Sequence, residues 1–80
     1  MKIEVLGMGC SNCNRLYRNV LEAVKLSGRD VQLEKVEDIK RIAAYGVLST
    51  PALVIDDKVV SLGRLLEVKD AAKIIRKVAG

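Results

Sequence analysis

Gly7-Met8-Gly9-Cys10-Ser11-Asn12-Cys13 divides two stretches of different hydrophobic period. Before it, Lys2-Ile3-Glu4-Val5-Leu6 alternates charged and apolar residues and carries the β-branched Ile and Val, which predicts a short strand. After it, Leu16, Val20 and Val24 recur every four residues, and Cys13, Tyr17 and Leu21 widen the same face. That spacing predicts an amphipathic helix from Ser11 to about Ser27, with Gly28 as its C-terminal stop. Ser11 is the expected N-cap and Cys10 stands at the helix entrance. The glycines of the junction mark a tight break. Both cysteines of the chain therefore fall where a strand turns into a helix.

The remaining elements follow outward from that junction. Asp30 to Val36 alternates imperfectly and reads as a second strand. Glu37 to Tyr45 carries Ile39, Ile42, Ala43 and Ala44 at helical spacing, with acids in the first turn and Gly46 at the end. Ala52-Leu53-Val54-Ile55 is a continuous apolar run, the pattern of a strand covered on both faces. Asp56-Asp57-Lys58 turns it into a hairpin with Val59-Val60-Ser61-Leu62. Glu67 to Val78 places Ala71, Ile74, Ile75 and Val78 on one face of a last helix. The order is β-α-β-α-β-β-α. A helix between the first two strands predicts parallel pairing through a right-handed crossover, and the last two strands are antiparallel. The expected fold is α/β, a mixed four-stranded sheet with helices on both faces.

Composition bounds the function. Eighty residues hold one domain, residues 1–80, with a small core. No apolar run reaches the roughly 20 residues of a membrane span, and the first residues are too short an apolar segment for a secretory signal. The net charge of +4 comes from 14 basic and 10 acidic residues of interleaved sign. With two Tyr and neither Phe nor Trp, the chain lacks the basic stripe and stacking aromatics of a nucleic-acid binder. Two cysteines cannot build the disulfide framework of a small secreted domain, and a bridge between them closes too short a loop to restrain the unfolded chain. The expectation is a cytoplasmic monomer, without nucleic-acid or membrane partners.

Their spacing suits chemistry instead. A separation of three on a first helical turn brings two side chains to one face, within disulfide reach. Free N–H groups and the positive end of the helix dipole favour a thiolate at Cys10. A thiol of pKa about 8.5 is only ~3% ionised at pH 7, and one lowered to about 7 is ~50% ionised. Cys10, flanked by small residues, is the expected nucleophile. Cys13, one turn inside with Leu16 and Tyr17, is the expected resolving thiol that releases a mixed disulfide. Cys13 also reads as an ordinary buried apolar cysteine.

Taken with Thr50-Pro51 about forty residues on, the hairpin and the closing helix, the Cys10-x-x-Cys13 junction resembles the thioredoxin superfamily over almost the whole chain. The nearest likeness is to the small archaeal-type proteins between thioredoxin and glutaredoxin, sometimes called redox-active disulfide protein 2. The resemblance implies a thiol–disulfide oxidoreductase that needs no cofactor. Its implied partners are disulfide-containing proteins and an upstream thioredoxin-reductase-like donor. It also implies a cis peptide at Thr50–Pro51 facing the cysteines, with Thr50 and Pro51 contacting substrate; without it, Pro51 reads as a trans-proline opening a strand. A proline offers no N–H, and Thr50's backbone is then open to an extended substrate segment.

The departures matter as well. Gly9 replaces the Trp common before the first cysteine of thioredoxins, and Ser11-Asn12 stands in place of Gly-Pro or of the Pro-Tyr of glutaredoxins. Gly63 occupies a position where glutaredoxins have a glycine near glutathione, with Arg64 and Lys2 as weak charged candidates, so protein partners are favoured over glutathione. Met8 is a candidate for the apolar rim where a partner docks. Glu4, six residues before Cys10, matches the acid that assists proton transfer in thioredoxins, although its alternation with Ile3 and Val5 favours a wet strand residue.

One rival comes from another class. Met8-Gly9-Cys10-Ser11-Asn12-Cys13 also matches the Met-x-Cys-x-x-Cys loop of soft-metal chaperones, in which two thiolates hold Cu(I). Zinc fits poorly, since a structural site wants four ligands and the chain has no His. Those domains resemble β-α-β-β-α-β and end on a strand. The helix after the second strand, the closing helix and Thr50-Pro51 favour the redox reading.

Overall fold

The computed structural model describes residues 1–79. Strand β1 spans Lys2–Leu6, helix α1 Ser11–Ser27, strand β2 Gln32–Val36 and helix α2 Ile39–Ala44. Strands β3, Ala52–Ile55, and β4, Lys58–Leu62, precede helix α3, Val68–Ala79. The sheet order is β2-β1-β3-β4. β1 runs parallel to β2, with Leu6 opposite Val36, and antiparallel to β3, with Leu6 opposite Ala52. β3 and β4 pair antiparallel around Asp56 and Asp57, whose φ angles of 48° and 69° suit a two-residue hairpin turn. The register between Leu53–Ser61 and Val54–Val59 leaves Val60 as an extra residue, a bulge in the edge strand. The β-α-β-α-β-β-α order and mixed sheet agree with the sequence.

Alternation along β1 and β3 sorts the core into two layers. Ile3, Val5, Leu53 and Ile55 meet Leu16, Val20 and Ala23 of α1 and Ala71 and Ile75 of α3. Leu6, Ala52 and Val54 face the other way and meet Val36, Ile42 and Val47 around α2. α1 and α3 thus cover one face and α2 the other. Leu16, Val20 and Ile75 are fully buried, each a contribution of about 1.5–3 kcal/mol over an exposed position.

Several local expectations need correction. The N-cap of α1 is Cys10, not Ser11: the Cys10 side chain accepts from the Cys13 N–H. The buried stripe of α1 is Cys13-Leu16-Val20-Ala23, with Val24 partly buried and Leu21 at the rim. Val78 is exposed, and α3 buries Ala71 and Ile75 instead. α2 begins only at Ile39, because Asp38 caps it by accepting from the Lys40 N–H. Gly28 ends α1 as expected, in the left-handed region at φ 66°.

Candidate active site

Every component of the site gathers at one end of the sheet, where β1 and β2 finish and β3 begins. Cys10 is exposed at the mouth of α1, in extended backbone. Its Sγ accepts from the Cys13 N–H at 3.1 Å, using one of the donors that a helix start leaves without an intrahelical partner. Cys13 is only 1% exposed. The two are joined by a disulfide, with Cα atoms 5.0 Å apart.

The seat of Cys13 is made by Gly7. A Cβ at Gly7 would lie 2.7 Å from the Cys13 Cβ and closer still to its Sγ, so only a glycine lets the helix turn rest on the strand end. In the sequence Gly7 reads only as part of a tight break. Its signal, a glycine directly after a strand and six residues before a cysteine, does not distinguish a turn from a close approach. The Gly7 N–H also donates to the Val36 carbonyl at 2.9 Å, which extends the β1–β2 ladder beyond Leu6.

The register carries Pro51 to the level of Gly7, one step beyond the Leu6–Ala52 pair. The Thr50–Pro51 peptide is cis, as the resemblance implied. Pro51 is buried and its carbonyl accepts from the Gly63 N–H at 2.8 Å, while Thr50 is exposed. Gly63 therefore fastens β4 to the Pro51 end of β3. Arg64 follows it, exposed at the same end of the sheet, whereas Lys2 begins β1 at the opposite end. Lys2 does not join this site as a glutathione candidate. Its ammonium lies 3.8 Å from Glu4.

At this end of the fold, the loops and the start of α2 leave large apolar side chains in solvent. Met8 is 59% exposed, Ile39 65% and Leu48 99%. Leu62, which pairs with Ala52, adds to the same end. Polar groups cluster near the first turn of α1. The Lys35 ammonium donates to the Asn14 side chain, whose amide lies 3.4 Å from the Gly9 carbonyl. Glu37 Oε2 is 3.0 Å from the position of a Cβ on Gly9, immediately before Cys10. Sequence reading did not single out Lys35, Asn14 or Glu37, since nothing local announces that β2 ends beside the loop.

Glu4 is a correction. It is 1% exposed, not a wet strand residue. Its side chain lies on the α2 face of the sheet, where Tyr45 donates to Oε1 at 2.7 Å and Arg41 to Oε2 at 2.9 Å. Cys13 packs from α1, so Glu4 and Cys13 lie on opposite faces of the sheet. The Glu4 bond, with burial second, pushes the Tyr45 phenol up to about 12. Arg41 also bridges to Glu34, at 2.7 and 3.1 Å, and holds that carboxyl below its ordinary value. Among the described residues no three His, Cys, Asp or Glu side chains form a metal-binding group, and no helix is long and apolar enough to cross a membrane.

The sequence model of a family described as a thioredoxin domain matches residues 1–76. The chain belongs to the thioredoxin family. A thioredoxin of Methanothermobacter thermautotrophicus is 36% identical over 75 residues, covering 94% of this chain and 97% of the relative. A thioredoxin of Methanocaldococcus jannaschii is 38% identical over 68 residues, covering 85% of this chain and 78% of the relative. A solved structure titled "Structure of a malarial protein" shares the thioredoxin fold at a TM-score of 0.72, with 17% identity over 95% of this chain and 93% of its own. With a Cys10–Cys13 disulfide at the helix entrance, this thioredoxin-family chain is a thiol–disulfide oxidoreductase.

Proposed function

We propose that the chain reduces disulfides in other proteins, with Cys10 as nucleophile and Cys13 as resolving thiol. The observation that carries this assignment is the contrast in access: Cys10 is exposed at the helix mouth, and Cys13 is 1% exposed against Gly7. In the dithiol form, the Cys13 N–H that Cys10 now accepts is a donor for the Cys10 thiolate. The thiolate attacks one sulfur of a partner disulfide, forming a mixed disulfide and releasing the other sulfur as a thiolate. Cys13 gives up its proton and attacks Cys10 Sγ. The second partner sulfur leaves, and the Cys10–Cys13 bond closes with two electrons transferred. A dithiol donor, an upstream thioredoxin-reductase-like enzyme, restores the dithiol form.

The surroundings favour a protein substrate. Met8, two residues before Cys10, Ile39, at the start of α2, and Leu48, on the segment that leaves it, are exposed apolar side chains, which suit a docking protein better than a small charged ligand. Thr50, exposed beside the Pro51 level of the sheet, is open to pairing with an extended partner segment, and Gly63 holds the strand end behind it. Glutathione is less favoured because Arg64 alone of its two charged candidates stands at this end. The protein acts in the cytoplasm, as a monomer and without a bound cofactor.

Insulin reduction followed by turbidity, with dithiothreitol as donor, tests this reading. The wild type is expected to accelerate precipitation, Cys10→Ser to abolish the acceleration, and Cys13→Ser to lose turnover after one attack. Unchanged turnover in Cys10→Ser removes the assigned nucleophile. No acceleration by the wild type, together with tight 1:1 Cu(I) binding through Met8, Cys10 and Cys13, transfers the site to metal carriage.

A further inference from the structure

The connections on either side of helix α2 lead to the redox site, yet the helix itself has little apolar anchorage. Of its six residues only Ile42 is buried. At its N-terminal side Glu37 lies against Gly9, the residue before Cys10. At its C-terminal side Tyr45 caps the helix, and Val47-Leu48-Ser49-Thr50 leads directly to Pro51. What fastens α2 to the sheet is largely polar: Arg41 and Tyr45 both donate to the buried Glu4 carboxylate, and Arg41 also bridges to Glu34 on β2. Tyr45 further approaches Asp57 in the β3–β4 turn at 3.4 Å.

A carboxylate buried this deeply needs its charge and lone pairs satisfied, and here both oxygens are bonded to α2. A charge-assisted cluster about a buried carboxylate has few alternative arrangements, so it fixes the height and rotation of a helix that apolar contacts alone would leave loose. The cluster does not touch the cysteines. Any influence it has on the reaction passes through the two connections that α2 sets, one behind Gly9 and one carrying Leu48 and Thr50.

We propose that Glu4, Arg41 and Tyr45 are positioning residues for partner docking: by holding α2 they set the surface around Cys10 on which a protein disulfide is received. The inference rests on the reading of the chain as a protein-disulfide reductase and adds which residues shape its docking surface. The thiol chemistry itself, confined to α1 and Gly7, is independent of the cluster.

The test compares wild type with Tyr45→Phe, Arg41→Gln and Glu4→Gln. Three quantities are read: KM and kcat for insulin, the rate of the dithiol protein with the small aromatic disulfide DTNB, and the Cys10–Cys13 reduction potential. Tyr45→Phe removes only a hydroxyl and keeps the ring, so it decides the matter even if Glu4→Gln fails to fold. Expected is a roughly three- to tenfold rise in insulin KM, the scale of a weakened hydrogen bond, with kcat within about twofold. DTNB rate and reduction potential stay at wild-type values. A wild-type KM in folded Tyr45→Phe and Arg41→Gln overturns the proposal. So does a loss of equal size with DTNB. A shifted pH profile for DTNB in Glu4→Gln alone returns Glu4 to proton transfer and likewise overturns it. A wild type inactive toward insulin but active toward DTNB defeats the protein-reductase reading itself, a result distinct from any of these.

Discussion

Gly7→Ala should be the most costly single-methyl change at the site, and its size can be worked from the coordinates. The added Cβ would sit 2.7 Å from the Cys13 Cβ and nearer its Sγ, where non-bonded heavy atoms prefer about 3.5–4.0 Å. Roughly 1 Å must therefore open between the end of β1 and the first turn of α1. Neither side yields easily. The Gly7 N–H is bonded to Val36, and Cys13 is buried in a helix whose Leu16 and Val20 are locked in the core. Overpacking of this kind costs about 1–3 kcal/mol, and more where both sides are pinned. For a domain of this length each kcal/mol lowers Tm by about 4–8 °C, so a fall of roughly 5–20 °C is expected in thermal denaturation followed by circular dichroism. Gly28→Ala is the informative comparison. At φ 66°, with nothing within 4 Å, it meets only the backbone penalty of about 1–2 kcal/mol. Its insulin-reducing activity per folded molecule should match wild type, whereas Gly7→Ala should also slow the step in which Cys13 resolves the mixed disulfide. A Gly7→Ala protein melting within about 2 °C of wild type, with normal turnover, would refute the claim that the glycine is there for Cys13.

Three further outcomes follow from the polar side of the sheet and the helix cap. The Tyr45 phenol is raised from 10.0 to about 12, so the stability it contributes is complete below pH 10 and lost as pH rises through about 12. Chemical denaturation across that range should show a falling limb that Tyr45→Phe flattens. Glu34 is held below 4.5, chiefly by its bond to Arg41, so its contribution is present above that value and disappears as pH falls through its lower folded value. The pair is exposed, and Glu34→Gln is expected to reduce the acid-side loss slightly in low salt and not at all in high salt. Asp38→Ala removes the N-cap of α2, which should cost about 0.5–2 kcal/mol in the same denaturation assay; no change would mean that the polar cluster alone holds the helix.

Much of this architecture is legible along the chain, and the exceptions share a physical cause. β1, α1 and β3 have the limits that alternation, a four-residue period and an unbroken apolar run prescribe. These patterns report burial that each segment meets over its whole length. Glu4 defeats the same reasoning. Its burial depends on Arg41 and Tyr45, 37 and 41 residues away, and neither lies in any local pattern with it. The stripe of α1 runs on to Ala23 because α3 packs on the same side of the sheet, with Ala71 and Ile75 in one core layer with Leu16, Val20 and Ala23. Cys10 displaces Ser11 as N-cap because the sulfur that does the chemistry also accepts the helix's free N–H. At the site, the cysteines and Thr50-Pro51 are visible as motifs, but Gly7 and Glu37 acquire meaning only when separate elements meet.

The central claim is that Cys10 attacks a protein disulfide and Cys13 releases it, and trapping of the mixed disulfide tests this most directly. Reduced Cys13→Ser and Cys10→Ser proteins are each mixed with a disulfide-bonded protein substrate, quenched with alkylating agent and examined by intact mass. The account predicts a covalent one-to-one adduct through Cys10 that accumulates in Cys13→Ser, and no comparable adduct in Cys10→Ser. An adduct formed equally well by Cys10→Ser, or by neither protein while the wild type turns over, would contradict it.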